Sequence, residues 1–268
     1  MTHDKLPSEI DGEYDIAYSY QGDRKALVKV LNSVRLLNST AYYESHAFSQ
    51  EEALIEADIV DDIPFEKSSE QFVFQDFAVG TATIIYFRAT RLAVLTCAHV
   101  IDFPDTLISY YDVTNVGDQR FIENISIKKK HTNNLTDLRY GDELKVLAID
   151  RDLDLAILGK RFKSSQTRTV PVFNVPLGTA KELTWGNIVF VLGFPGGKKM
   201  VTTGIVSSPN RTGEHHFLLD ALFNRGLSGG IVLAIRDGIP NFELVGVVNS
   251  VAAESEIVLA PHRLAGQN

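Results

Sequence analysis

The chain has 268 residues, 44% hydrophobic and 22% charged, with 34 Asp+Glu against 26 Lys+Arg and a formal net charge of −8. Those proportions belong to an ordinary globular protein, and the length fits one large domain or one medium domain with an extension. A single cysteine, Cys97, excludes an internal disulfide and removes any argument for an oxidising compartment, so the expected location is the cytoplasm.

The first fifteen residues, MTHDKLPSEIDGEYD, have neither the basic nor the apolar region of a secretory signal. The longest apolar-rich runs, Phe77–Phe87 and Ile188–Phe194, are strand-sized, well short of the roughly 20 residues of a membrane helix. No membrane partner is expected. Charge is unevenly placed: residues 1–80 hold 16 acidic and 6 basic residues, and the remainder holds 18 and 20. The acidity therefore belongs to the N-terminal third, and without a basic face no nucleic-acid partner is expected. Lys128, Lys129 and Lys130 form the one basic run and read as a solvated loop.

From the N-terminus, the spacing of Leu27, Val30, Leu31, Val34 and Leu37 predicts an apolar helical face, with Asp23 as its cap. Ser49 followed by Glu52 has capping-box spacing and predicts a second short helix to about Ile59. The acidic run Glu51–Glu70 reads as a solvated face or linker. Residues 1–70 are thus expected to form an acidic helical extension packed on a main domain of residues 71–268.

Beyond residue 75 the pattern changes to short β-branched and aromatic runs broken by Gly, Pro, Asn and Asp. Strands are predicted at Phe72–Phe77, Thr81–Phe87, Ala93–Cys97, Thr106–Tyr111, Ile122–Ile127, Leu144–Ile149, Leu155–Leu158, Ile188–Gly193, Met200–Ser207, His216–Asp220, Gly230–Ile235 and Leu244–Ser250. Lys128–Glu143 reads as a polar surface insertion. A dozen short strands in about 195 residues indicate an all-β sandwich or a pair of barrels.

Three local sequences carry chemistry. Leu95-Thr-Cys-Ala-His99-Val ends a strand on a histidine. Asp152-Leu-Asp154-Leu-Ala-Ile-Leu158 sets aspartates just before a buried strand. Arg225-Gly-Leu-Ser228-Gly-Gly places a serine among glycines. Singly, each has an ordinary explanation: a structural histidine, a turn-forming aspartate, a tight turn. Together they supply what acyl transfer by serine requires, namely a base, a carboxylate that orients it, and main-chain N–H groups for an oxyanion. The order His…Asp…Ser is the one used on a double β-barrel.

The motifs resemble those of trypsin-like serine proteases. T-C-A-H resembles their T-A-A-H, D-L-A-I-L their D-I-A-L-L, and G-L-S-G-G their G-D-S-G-G. The closer resemblance is to the disulfide-free HtrA/Deg branch, through Val191-Leu-Gly-Phe-Pro-Gly-Gly197, Val201–Ser207, Asp220–Gly230 and Leu244–Ser250. It spans about residues 75–265 and implies a double six-stranded β-barrel with a short helical N-terminal extension. The roughly 40 residues after Ser228 would only complete the second barrel, so no PDZ module is expected.

By that resemblance His99 is the general base and acid, Asp154 the orienting carboxylate with Asp152 as alternative, and Ser228 the nucleophile. The N–H groups of Gly226 and Ser228 form the oxyanion hole, with that of Leu227 nearby. Leu222, six residues before the serine, with Val247 and Val248, implies an apolar pocket for an aliphatic side chain.

The secreted digestive members have an Asp where Leu227 stands, and it pairs with a newly cut N-terminus; Leu227 cannot. Activation by cleavage is therefore not expected. Three readings remain at this point: a serine endopeptidase cleaving a polypeptide substrate; the same enzyme controlled by a protein partner or homo-oligomer through the N-terminal extension; and a catalytically silent peptide-binding or scaffold module. No cofactor and no metal are expected, since His215-His216 has no Cys/His partners at zinc spacing, and the Gly193–Gly197 run lacks phosphate-loop spacing and reads as a turn, with a place beside the active site as the expectation.

Overall fold

The computed structural model describes residues 10–16, 24–59, 63–111, 120–136, 143–163, 170–209 and 216–249. Asp23, His215 and Ser250 lie outside them.

Helix α1 (Arg24–Leu31) is the part of the predicted N-terminal helix that forms. Leu27, Val30 and Leu31 pack against Phe190, Leu192, Ile231 and Leu233, while Val28 faces outward. The helix stops at Asn32-Ser33, where the Ser33 hydroxyl donates back to Val30 O. Strand β1 (Val34–Ala47) follows. This corrects the helical reading of residues 34–37 and of the extension as a whole, because β1 lies in the middle of a sheet. Its inward positions are Leu37, Ser39, Ala41, Tyr43 and Ser45, all buried. Three of those five are small or polar, so the period of two that marks a strand is not visible as hydrophobic alternation.

The second predicted helix is also corrected. Ser49 makes no side-chain cap, Gln50–Glu52 is a single 3₁₀ turn, and Ala53 ends it in the left-handed region at φ 47°. A further 3₁₀ turn covers Glu56–Ile59. Among the described residues no helix is long and apolar enough to cross a membrane.

Among the described residues the strands form two antiparallel sheets. The first contains β1, β2 (Glu70–Arg88), β3 (Arg91–Cys97), β4 (Thr106–Tyr110), β5 (Ile122–Leu135), β6 (Lys145–Asp150) and β7 (Leu155–Arg161), in the order β4-β5-β1-β2-β3-β7-β6. The second contains β8 (Ile188–Gly193), β9 (Met200–Ser208), β10 (Leu218–Asp220), β11 (Ile231–Ile235) and β12 (Phe242–Val247), in the order β10-β9-β8-β11-β12. This is the expected all-β double-barrel architecture of the trypsin-like fold, with seven and five strands among the described residues in place of six and six, because β1 from the N-terminal region joins the first sheet. The lysines 128–130 are in β5 rather than a loop: Lys128 pairs with Asp105, Lys129 with Glu44, and Lys130 lies over the Tyr42 ring.

Leu37, Ile84, Val94 and Leu158 are central to the core of the first sheet. The second buries one face around Val189, Val191, Leu227 and Val232, and the other around Phe190, Leu192, Ile231 and Phe242, the latter under α1. The acidic segment 10–16 is fastened to the second sheet. Tyr14 is buried beneath the Arg236 guanidinium, 4.1 Å away, and its hydroxyl donates to Glu243 Oε2. The Asp237 carboxylate accepts the Asp11 and Gly12 N–H groups.

Candidate active site

Strands β3 and β7 set the first half of the site. Their register pairs Cys97 with Leu155, so the residues just beyond, His99 and Asp154, meet at the same end of the sheet. Asp154 closes the turn 151–154 with φ 53°, and its carbonyl accepts the Ala98 N–H at 3.1 Å. Its carboxylate then grips His99 at two points: Oδ1 accepts the main-chain N–H at 2.9 Å and Oδ2 accepts Nδ1–H at 2.6 Å. Because a carboxylate only accepts, the proton sits on Nδ1 and Nε2 is left with its lone pair free to act as a base. The ring is half exposed, at 47% of its side-chain surface. Asp152 stands exposed in the same turn; Asp154 is the aspartate bound to His99.

The loop between β10 and β11 carries Ser228. Gly226 and Gly229 have φ of 95° and 84°, where a side chain is strained. Gly229 also lies so close to β2 and β3 that a Cβ would sit 2.0 Å from Thr81 O. The Ser228 carbonyl accepts the Thr81 N–H at 2.7 Å, which seats the serine against the first sheet. The Leu227 N–H is used within the loop, on Asn224 O. Those of Gly226 and Ser228 donate to no described residue, leaving two main-chain donors on either side of Leu227. Among the described residues no hydrogen bond joins Ser228 to His99; in the absence of substrate such contacts are commonly long.

The remaining sequence-predicted residues are less closely gathered. Leu222 stands 60% exposed. Val247 packs on the core of the first sheet and Val248 is buried in that of the second. The Val248 carbonyl reaches the site, accepting the Gly229 N–H at 2.8 Å and the Cys97 S–H at 3.1 Å. The glycine run after β8 does lie beside the site, since the Gly196 N–H donates to Arg225 O. Thr81 escaped notice in the sequence because a threonine in a β-branched strand carries no mark.

Cys97 Sγ, His99 and Asp154 place three ligand-type atoms within 4.8 Å of one another. Burial, and then the negative charge of Asp154, push the Cys97 thiol far up, and it remains protonated. A protonated thiol bonded to a carbonyl, beside a histidine already bonded to its carboxylate, is a poor cation site. Cys97 is accordingly expected to resist iodoacetamide in the folded protein at pH 8 and to be modified fully in denaturant, as read by intact mass; rapid labelling of the native form would show the thiol to be accessible.

The trypsin-like peptidase domain family model matches residues 80–247. No curated protein matches the chain. The match runs from the middle of β2, the strand that seats Ser228, to the last residue of β12, taking in His99 and Asp154, and the chain belongs to the trypsin-like peptidase domain family.

Proposed function

We propose that this domain is a serine endopeptidase of the HtrA/Deg type, acting on polypeptides through His99, Asp154 and Ser228. The two-point hold of Asp154 on His99 carries this reading, because it fixes both the tautomer and the orientation that a general base needs. Ser228 Oγ attacks the scissile carbonyl as His99 Nε2 takes its proton. The oxyanion accepts the N–H groups of Gly226 and Ser228. His99 returns the proton to the leaving amine, and water then attacks the acyl-enzyme with the same base. Leu222, Val247 and Val248 would favour an aliphatic residue before the scissile bond.

Leu227 offers no carboxylate to a newly cut N-terminus, so control falls to a partner or second copy acting through the acidic N-terminal residues. The single cysteine, which leaves the domain without an internal disulfide, favours a reducing compartment, the cytoplasm.

A second reading, a silent peptide-binding module, draws on the missing Ser228–His99 hydrogen bond. A fluorophosphonate probe separates the two. Wild type is expected to be labelled on Ser228 and Ser228→Ala not at all, with peptide turnover lowered by about 10⁶-fold in the variant. Wild-type protein that neither labels nor cleaves, alone or with N-terminal partners, would leave the binding module.

A further inference from the structure

Of the two proposed oxyanion donors, the Ser228 N–H lies on a peptide held within the motif, since the Leu227 carbonyl accepts the Gly230 N–H at 2.8 Å, whereas the Gly226 N–H lies on the Arg225–Gly226 peptide, which is held from outside it. The peptide unit is planar, so its C=O and N–H point in opposite directions. The Arg225 carbonyl accepts the Gly196 N–H at 2.8 Å, and this turns the Gly226 N–H the other way, away from the Phe194–Gly197 turn. The next carbonyl, that of Gly226, accepts the Thr81 hydroxyl at 2.7 Å. The same hydroxyl accepts the Phe194 N–H at 2.9 Å, two residues before Gly196. Thr81 is fully buried; its own N–H donates to Ser228 O and its carbonyl accepts the Thr96 hydroxyl. One side chain of the first sheet thus joins the serine loop and the Phe194–Gly197 turn, both of the second sheet.

We infer that Thr81 is a positioning residue for the oxyanion hole: its hydroxyl, bridging Phe194 N–H and Gly226 C=O, holds the Arg225–Gly226 peptide with its N–H turned to the site. The inference rests on the proposed peptidase reading for its kinetic consequence. Flipping that peptide would break the Gly196–Arg225 bond, and Thr81 keeps both partners of that bond in place. Leu227 adds an apolar anchor, its Cδ1 packed where a Gly193 side chain would be.

The test compares Thr81→Val, which keeps shape and loses the hydroxyl, with Thr81→Ser, which keeps the hydroxyl. Thr81→Val is expected to lower kcat about 10- to 100-fold with KM little changed, less than the loss of a donor itself. Fluorophosphonate acylation of Ser228 should slow by the same factor, and Thr81→Ser should return to within about threefold of wild type. Amide hydrogen exchange over residues 224–230 should quicken in Thr81→Val and not in Thr81→Ser. If Thr81→Val does not fold, Thr81→Cys, a weak donor of similar size, takes its place. Unchanged kcat, or unchanged exchange in the loop, overturns the inference. A wild type without serine-dependent activity overturns the peptidase reading instead, and the exchange measurement still decides whether Thr81 positions the loop.

Discussion

Asp154→Asn is expected to lower kcat by about 10⁴-fold at neutral pH while KM changes little. The two His99 donors, its main-chain N–H and Nδ1–H, both end on the Asp154 carboxylate, at 2.9 Å and 2.6 Å. An amide has one oxygen to offer. If it faces Nδ1–H, the NH₂ group confronts the His99 main-chain N–H, donor against donor. If it faces the main chain, Nδ1 must accept and the ring proton moves to Nε2, the atom that takes the Ser228 proton in the proposed mechanism. Asp152→Asn, in the same turn and equally close in sequence, should stay within about twofold of wild type, as surface substitutions usually do. A pair of variants with similar kcat would overturn the assignment of Asp154, and loss of Tm in Asp154→Asn would trace the effect to folding.

Leu227→Asp is expected to destabilise the fold by more than about 3 kcal/mol at pH 7, because it leaves a carboxylate buried with no cation to meet it. Leu227 is 2% exposed, within the cluster of Val189, Val191, Val206 and Val232. Burial would raise the folded-state pKa of the new carboxyl above its unfolded value of about 3.9. The penalty should therefore grow as pH rises above about 4 and shrink as the group is protonated below it. Leu227→Met, which keeps volume and apolarity, should cost less than about 1.5 kcal/mol and retain activity. Urea titrations at pH 4 and pH 8 check the sign; an Asp variant equally stable at both, or near wild type, would mean the pocket admits water or a counter-ion. The residue that stood out in the sequence as a departure from its relatives is thus an apolar plug in the loop that carries the serine.

The site was legible where a short run of sequence fixes geometry by itself. A strand ending Thr-Cys-Ala-His and a turn ending in Asp before Leu-Ala-Ile-Leu are adjacent because β3 and β7 pair, and each motif includes part of its own strand. Contacts between distant segments left no such trace. Thr81 meets Gly226 across 145 residues, and nothing near Thr81 announces it. The fold shows the same division. Strands with β-branched interiors, such as β8 and β11, match their predicted spans closely, whereas β1 hides its inward face behind Ser39, Ala41 and Ser45. The apolar spacing of Val34 and Leu37 continued a helical count that ends at Leu31, and only pairing with β2 and β5 along β1 settles the matter.

The stitching of residues 10–16 to the far end of the chain bears on how the protein is made. The Asp11 N–H and the Asp237 carboxylate are 226 residues apart, and Tyr14 bridges Arg236. At about 5–20 residues per second, a ribosome takes on the order of 10–40 s to supply those partners. A segment made before every described strand is therefore among the last to dock, after β11 and β12 exist to receive it. Helix α1 waits likewise for Ile231 and Leu233. Closing so long a loop adds little to the equilibrium cost, which grows only with the logarithm of length, but contacts of such high sequence separation slow folding. During that interval Tyr14 and the apolar face of α1 are without the partners that bury them in the folded protein.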